Sequence, residues 1–218
     1  MTTDLKIALT GTSGSGKTTL ANFISQEFSL PFISGSSADV KGPDAESRLM
    51  DMFGVKTGLG HAEVIKNSAT NFSFGYINQV MVREAREKLI RKNPRFVTDR
   101  SPLDNWTYFI NQVGFHKELT PIMQETFKED CIRTMNELDV LIYIRPVQPD
   151  GIEDNGSRVA NQYYQYAVDA QFKLWLERVF IPNIKGLTYI MIDFWDLERR
   201  KAVVKQYIEM AMLKKIQK

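Results

Sequence analysis

Residues Gly11-Thr12-Ser13-Gly14-Ser15-Gly16-Lys17-Thr18 match the spacing G-x-x-x-x-G-K-[ST] without a mismatch. The glycines let the backbone turn so that its N–H groups point inward and form a nest for phosphate oxygens. A helix that starts here adds the positive end of its dipole, with Thr19 in its first turn. Lys17 supplies a point charge for β- and γ-phosphates, and the Thr18 hydroxyl is a hard oxygen ligand of the kind Mg2+ takes. The chemistry expected is binding of Mg-ATP. The loop alone does not separate kinases from ATPases, GTPases or motor proteins.

Asp99-Arg100 is the second pair. A carboxylate at a strand end beside a phosphate loop can hold the Mg2+ shell or accept a proton from an attacking hydroxyl. An adjacent arginine can grip a phosphate bidentately. On a helix predicted over Ile77–Arg91, Gln79, Arg83 and Arg86 fall at i, i+4 and i+7. A glutamine amide offers a donor and an acceptor together, which suits a base edge, and the same three residues also suit a solvated polar face.

These residues need elements to position them. Leu5–Leu9 reads as a buried strand entering the loop, and Lys17 to Phe28 as a helix striped by Leu20, Phe23, Ile24 and Phe28. Pro31–Ile33, Arg95–Thr98, Asp139–Ile144 and Leu187–Ile192 read as further strands. Leu103–Val113, Pro121–Glu137, Tyr163–Val179 and a charged terminal segment read as helices. Ser34 to Gly60 holds five glycines and one proline, and it reads as loop with one short helix near Glu46–Met52. Near-continuous apolar strands alternating with helices predict an α/β fold of three layers, a mostly parallel five-stranded sheet flanked by helices. Ligands of such sheets bind at the carboxyl ends of the strands, where these motifs fall. The length suits one domain over 1–218.

Phe96-Val97-Thr98-Asp99-Arg100-Ser101-Pro102-Leu103-Asp104-Asn105, with Tyr108 after it, resembles the Asp-Arg segment of P-loop nucleoside and nucleotide kinases. It is similar to thymidylate kinases, to deoxynucleoside kinases, and most of all to kinase-like ATPases of phage genomes, a group that resembles the ribosylnicotinamide kinase domain. Only this segment and the phosphate loop are sharp. The resemblance implies a kinase rather than a GTPase, in keeping with the absence of a guanine-reading Asn-Lys-x-Asp. It implies a lid over about 146–160, in which Arg158 neutralises charge on the transferred phosphoryl group. Arg145 is a second cation candidate. The resemblance also points to Gln79 as a reader of the base. Polynucleotide kinase and similar enzymes keep an acidic base after the second strand, which picks out Asp39 in an acceptor-side region over about 34–76. Asp39 also reads as a loop residue.

The remaining composition narrows the class. The net charge of +2 does not demand nucleic acid. No run of about 18 apolar residues suggests a membrane span. One cysteine, Cys131, and no room for a signal peptide suggest the cytoplasm, or the host cytoplasm for a phage-encoded chain. Cys131, His61 and His116 read as structural, and Phe72, Phe74, Tyr76 and Trp106 as core. A homodimer stays open. The leading reading is transfer of the γ-phosphate of ATP to a nucleotide-type acceptor. That acceptor is a deoxynucleoside monophosphate clamped by Arg100, or a hydroxyl of a nucleoside or of a 5-hydroxymethylpyrimidine in phage DNA. The reading from another class is a switch or assembly ATPase without a small acceptor.

Overall fold

The computed structural model describes residues 4–53, 61–146 and 161–216. Strand β1 (Lys6–Thr10) runs into the glycine loop and helix α1 (Lys17–Glu27). After β2 (Phe32–Ile33) come the short helices α2 (Ser37–Lys41), α3 (Pro43–Met52) and α4 (His61–Thr70), then the long α5 (Phe72–Lys92). Strand β3 (Phe96–Thr98) leads to α6 (Pro102–Val113) and α7 (Pro121–Met135). Strand β4 (Val140–Ile144) is followed by α8 (Gln162–Trp175), which continues as a π turn over Leu176–Phe180. Strand β5 (Thr188–Ile192) and α9 (Leu197–Ile216) close the described chain.

The strand order is β2-β3-β1-β4-β5, and every pairing is parallel. Both faces are covered, as a parallel sheet requires. On one face Ala8, Phe96, Leu141 and Tyr143 pack against Trp106, Phe109, Phe127 and Phe172. On the other, Ile7, Leu9, Val97, Ile142 and Ile144 pack against Leu20, Ile24, Val204 and Ile208. Alternation of side chains along each strand produces this split, and the three-layer α/β fold read from the sequence is the fold observed. Phe74 and Trp106 are core residues, at 1% and 2% exposure, and Cys131 is fully buried.

Two segments differ from the sequence reading. Residues 37–41 and 43–52 are helical where, apart from a short helix near Glu46–Met52, loop was expected: Gly42 separates α2 from α3, and Pro43 opens α3 at its first position, where its missing N–H costs nothing. Gly42 has the positive φ, +76°, of a helix stop. Helix α5 starts at Phe72, not Ile77, because Asn71 caps it by accepting from the Phe74 N–H at 3.1 Å. Gly75 lies inside that helix. A Cβ there would come within 2.7 Å of Val113 and 2.8 Å of the Ser68 carbonyl, so it is a packing glycine where α4, α5 and α6 meet. Residues 147–160 of the expected lid, with Arg158, lie outside the described residues, as do residues 54–60.

Candidate active site

The carboxyl ends of β1, β2 and β3 bring together Gly11, Ser34 and Asp99. Three glycines give the loop its shape, with φ of +133° at Gly11, +79° at Gly14 and +90° at Gly16. A side chain at Gly11 would strike the Ile144 carbonyl at 2.2 Å, so that position admits only glycine. Lys17 is 5% exposed and folds back on its own loop. Its ammonium donates to the carbonyls of Gly11 at 2.9 Å and Thr12 at 2.6 Å. Burial, with Arg100 as a like charge nearby, lowers its pKa to about 7. The Thr12 hydroxyl is buried without a partner among the described residues. A lysine short of an anion and an orphaned hydroxyl on a glycine nest suit a phosphate chain.

Thr18 and Asp99 meet across the sheet. The Thr18 hydroxyl donates to Asp99 Oδ2 at 2.6 Å, and the Gly35 N–H donates to Oδ1 at 2.9 Å. This hydroxyl and carboxylate are hard oxygen donors of the type Mg2+ takes, with its other positions left to phosphate and water. Among the described residues no cluster of three His, Cys, Asp or Glu could form a separate metal centre.

Arg100 lies against the loop. It donates to the Gly11 carbonyl at 3.3 Å and to Asp104 Oδ1 at 3.0 Å, with its guanidinium 5.9 Å from the Tyr108 ring centre. Asp104, 1% exposed, is the anchor beneath this arrangement. Its Oδ2 also accepts from the Thr10 hydroxyl at 2.7 Å, the Ser101 N–H at 2.9 Å and the Ser101 hydroxyl at 3.0 Å. Asp104 carries no role in the sequence reading, although Ser101-Pro102-Leu103-Asp104 has the spacing of a capping box, and that box is formed.

Helix α5 sends two of its three predicted residues inward. Arg86, 3% exposed, donates to the Gly35 carbonyl at 2.6 Å, to the Ser101 carbonyl at 3.4 Å and to Asn105 Oδ1. Gln79 donates to Gln112 at 2.7 Å, both residues being buried. Asn105 Nδ2, Thr98 Oγ1 and Arg86 Nε are buried without partners among the described residues. Arg83 turns instead to α7, where it pairs with Asp130 and lies 5.5 Å from the Phe127 ring centre. Asp39 is exposed in α2. Hydroxyls of Ser34 at 2.5 Å and Ser36 at 2.7 Å hold its carboxylate and keep its pKa below the usual value. It borders an open groove of about 430 Å³ with Lys88 and Lys92, and among the described residues no hydrogen bond joins its carboxylate to the Asp99 network.

Two loop partners have no local sequence signal. Gln165 donates to the Ser13 carbonyl at 2.8 Å, and Arg200 to the Ser15 carbonyl at 2.9 Å, from 152 and 185 positions away. Arg145 is engaged with Asp169 through Nε at 3.0 Å and Nη2 at 2.9 Å. His116 contacts the Ser68 carbonyl at 3.2 Å and serves packing. Among the described residues no helix is long and apolar enough to cross a membrane.

The architecture is shared with known enzymes. A deoxyadenosine kinase from M. mycoides, solved with bound dCTP, superposes with a TM-score of 0.55 at 14% identity, covering 94% of this chain and 100% of that one. A thymidylate kinase from Candida albicans gives 0.59 at 17% identity, covering 95% and 92%. At such identities the likeness is one of fold, that of the P-loop kinases. No curated protein matches the chain significantly. The family model described as AAA domain matches residues 6–186, which takes in the phosphate loop and all but the last strand of the sheet, and the chain belongs to that family.

Proposed function

We propose that the protein is a kinase that moves the γ-phosphate of Mg-ATP to a nucleoside or nucleotide acceptor. The observation that carries this reading is a continuous hydrogen-bonded row leading away from the phosphate loop. Thr18 joins Asp99, Asp99 joins Gly35, Gly35 joins Arg86, and Arg86 joins Asn105. The row ends among buried groups with unused hydrogen-bonding capacity, and a hydrolase that uses only water has no need of such a face. The fold shared with a deoxyadenosine kinase and a thymidylate kinase supports the same reading.

In this account the inward N–H groups of residues 11–18 orient the triphosphate. Lys17 moves from its carbonyls to the β- and γ-oxygens, and Thr18 and Asp99 would hold Mg2+, which supplies charge neutralisation when bound. The bond from Pγ to the β,γ-bridging oxygen breaks, and a bond from Pγ to the acceptor oxygen forms. With a hydroxyl acceptor the departing proton passes to a carboxylate, Asp99 or Asp39. With a monophosphate acceptor no base is needed, and Arg100 clamps the incoming phosphate. Gln79 reads the base. Arg158 in the lid answers the charge on the phosphoryl group in transit.

A panel of deoxynucleosides, their monophosphates, ribosylnicotinamide, and DNA with and without 5-hydroxymethylpyrimidine, offered with γ-labelled ATP, tests the reading. Label on a monophosphate assigns Arg100 as the clamp. Label on a hydroxyl that is lost in Asp39→Asn assigns Asp39 as the base. Label on none, with phosphate released to water at a steady rate, supports a switch ATPase and contradicts the proposal.

A further inference from the structure

Arg200 is a buried cation with no anion among the described residues. It is 3% exposed, and among the described residues no carboxylate pairs with it. Its Nε donates to the Phe194 carbonyl at 2.7 Å and its Nη1 to the Ser15 carbonyl at 2.9 Å, while Nη2 is buried without a partner among the described residues. The guanidinium lies 4.9 Å from the Trp195 ring centre. Burial alone lowers its pKa, with no carboxylate to raise it. A guanidinium taken out of water without a counter-charge is costly, and an orphaned donor adds to that cost.

Its position names the missing charge. Ser15 and Gly16 form one turn of the phosphate loop, and a side chain at Gly16 would reach within 3.1 Å of Arg200 Nη1, so glycine there admits the guanidinium. The Ser15–Gly16 peptide is trans, since no cis bond occurs. A planar trans peptide points its carbonyl and its N–H in opposite directions. The Ser15 carbonyl faces Arg200 on α9, so the Gly16 N–H faces away from it, into the loop. A positive charge on the carbonyl polarises that N–H and strengthens it as a donor to an anion. Gln165 makes the equivalent contact to the Ser13 carbonyl from α8, but with a neutral amide.

We propose that Arg200 is the buried counter-charge of the phosphate loop, a positioning residue that raises affinity for polyphosphate by acting through the Ser15–Gly16 peptide without touching the ligand. This inference rests on the reading of Gly11–Thr18 as a nucleotide site. It predicts that the energy of holding Arg200 unpaired is recovered when a phosphate chain fills the loop. The dependence should therefore follow ligand charge, strongest for ATP and inorganic tripolyphosphate, weaker for ADP and AMP, and absent for adenosine.

The test is calorimetric titration of the full chain with this ligand series, for wild type, Arg200→Met, Arg200→Lys and Gln165→Met, together with thermal melting of each without ligand. Arg200→Met should weaken ATP and tripolyphosphate by about 10- to 100-fold, the range of a charge-assisted hydrogen bond. Its ligand-free melting temperature should change little, because relief of the unpaired charge offsets the two backbone carbonyls left without a donor. Gln165→Met should weaken the same ligands less, and Arg200→Lys, which keeps the charge, should fall between Arg200→Met and wild type. A merely structural Arg200 would lower the melting temperature and leave the ratio between ATP and adenosine unchanged, and that result overturns the proposal. If Arg200→Met does not fold, Arg200→Lys decides: tripolyphosphate affinity equal to wild type overturns it, and a selective loss for the charged ligands supports it. Wild type that binds neither ATP nor tripolyphosphate would remove the nucleotide reading itself, whereas binding that Arg200→Met leaves within twofold removes this inference alone.

Discussion

Thr18 and Asp99, 81 positions apart, share a hydrogen bond of 2.6 Å that ties the phosphate loop to the end of β3. The other oxygen of Asp99 accepts from Gly35, so one carboxylate fixes three segments at once. Asp99→Asn keeps the shape and removes the charge. We expect phosphoryl transfer to fall by about 100-fold or more, since catalysis of this type rests on positioning and electrostatics. Steady-state assays across a Mg2+ titration check this, and a variant saturating at the wild-type Mg2+ concentration with the wild-type rate contradicts the role given to Asp99.

Lys17 stands on the carbonyls of Gly11 and Thr12 and is the charge nearest the expected phosphates. Lys17→Ala should cut transfer by several orders of magnitude, on the order of 10³ or more. The fold should survive, because the variant deletes a buried charge that no carboxylate among the described residues pairs with directly. Single-turnover assays and circular dichroism together check both halves.

The lowered pKa of Lys17 makes binding pH-dependent. In the free protein it titrates at about 7, and a bound polyphosphate favours the charged form and raises it. Binding therefore takes up protons above pH 7. Affinity is full below about pH 7 and declines as pH rises, by up to about tenfold per unit, until the raised pKa of the complex is reached. The same depressed pKa makes the folded state gain stability, relative to the unfolded chain, between about pH 7 and the ordinary lysine value. Calorimetry of ATP binding in buffers of different ionisation heat checks the proton uptake, which Lys17→Ala should abolish.

Asp104 carries the structural cost of the site. Replacing it with alanine strands Arg100 and the hydroxyls of Thr10 and Ser101. Breaking a buried pair in this way typically costs about 3–5 kcal/mol, so Asp104→Ala should lose that much stability in urea unfolding. Asp104→Asn, which keeps the acceptor oxygen, should lose less.

Gly35 limits how the β2 end can change. A Cβ there would sit 2.6 Å from the Arg100 Cβ, just past β3, and 2.8 Å from the Thr98 hydroxyl at the buried end of that strand. Gly35→Ala should therefore push this segment away from Asp99 and lower transfer at unchanged Mg2+, a change that kcat would report more than the melting temperature.

The sequence carried the loop, the five strands and the Asp99-Arg100 pair because each is local: a fixed spacing, an apolar run, a strand followed by a charged dipeptide. Gln79 and Arg86 were legible as one helix face, and their inward turn is what the structure adds. Arg83 shared their periodicity, and it is Asp130 and Phe127 on α7 that turn it toward that helix. Helix α2 and the start of α3 were hidden because glycine and proline read as loop, whereas Gly42 separates the two helices and Pro43 opens the second. Gln165 and Arg200 had no sequence signal, because what assigns them is a backbone carbonyl brought near by the packing of α8 and α9. Asp39 lies exposed on α2, and the structure places it in no hydrogen bond with Thr18 or Asp99 among the described residues.

The central claim is that phosphate goes to an acceptor rather than to water. The most direct measurement is the ratio of phosphorylated acceptor to ADP formed by the wild-type chain with γ-labelled ATP and the acceptor panel, with Lys17→Ala as the control. A ratio near one is expected for at least one nucleoside or nucleotide acceptor, and no transfer by Lys17→Ala. ADP formed at the same rate with every acceptor or none, with all label in inorganic phosphate, would contradict it.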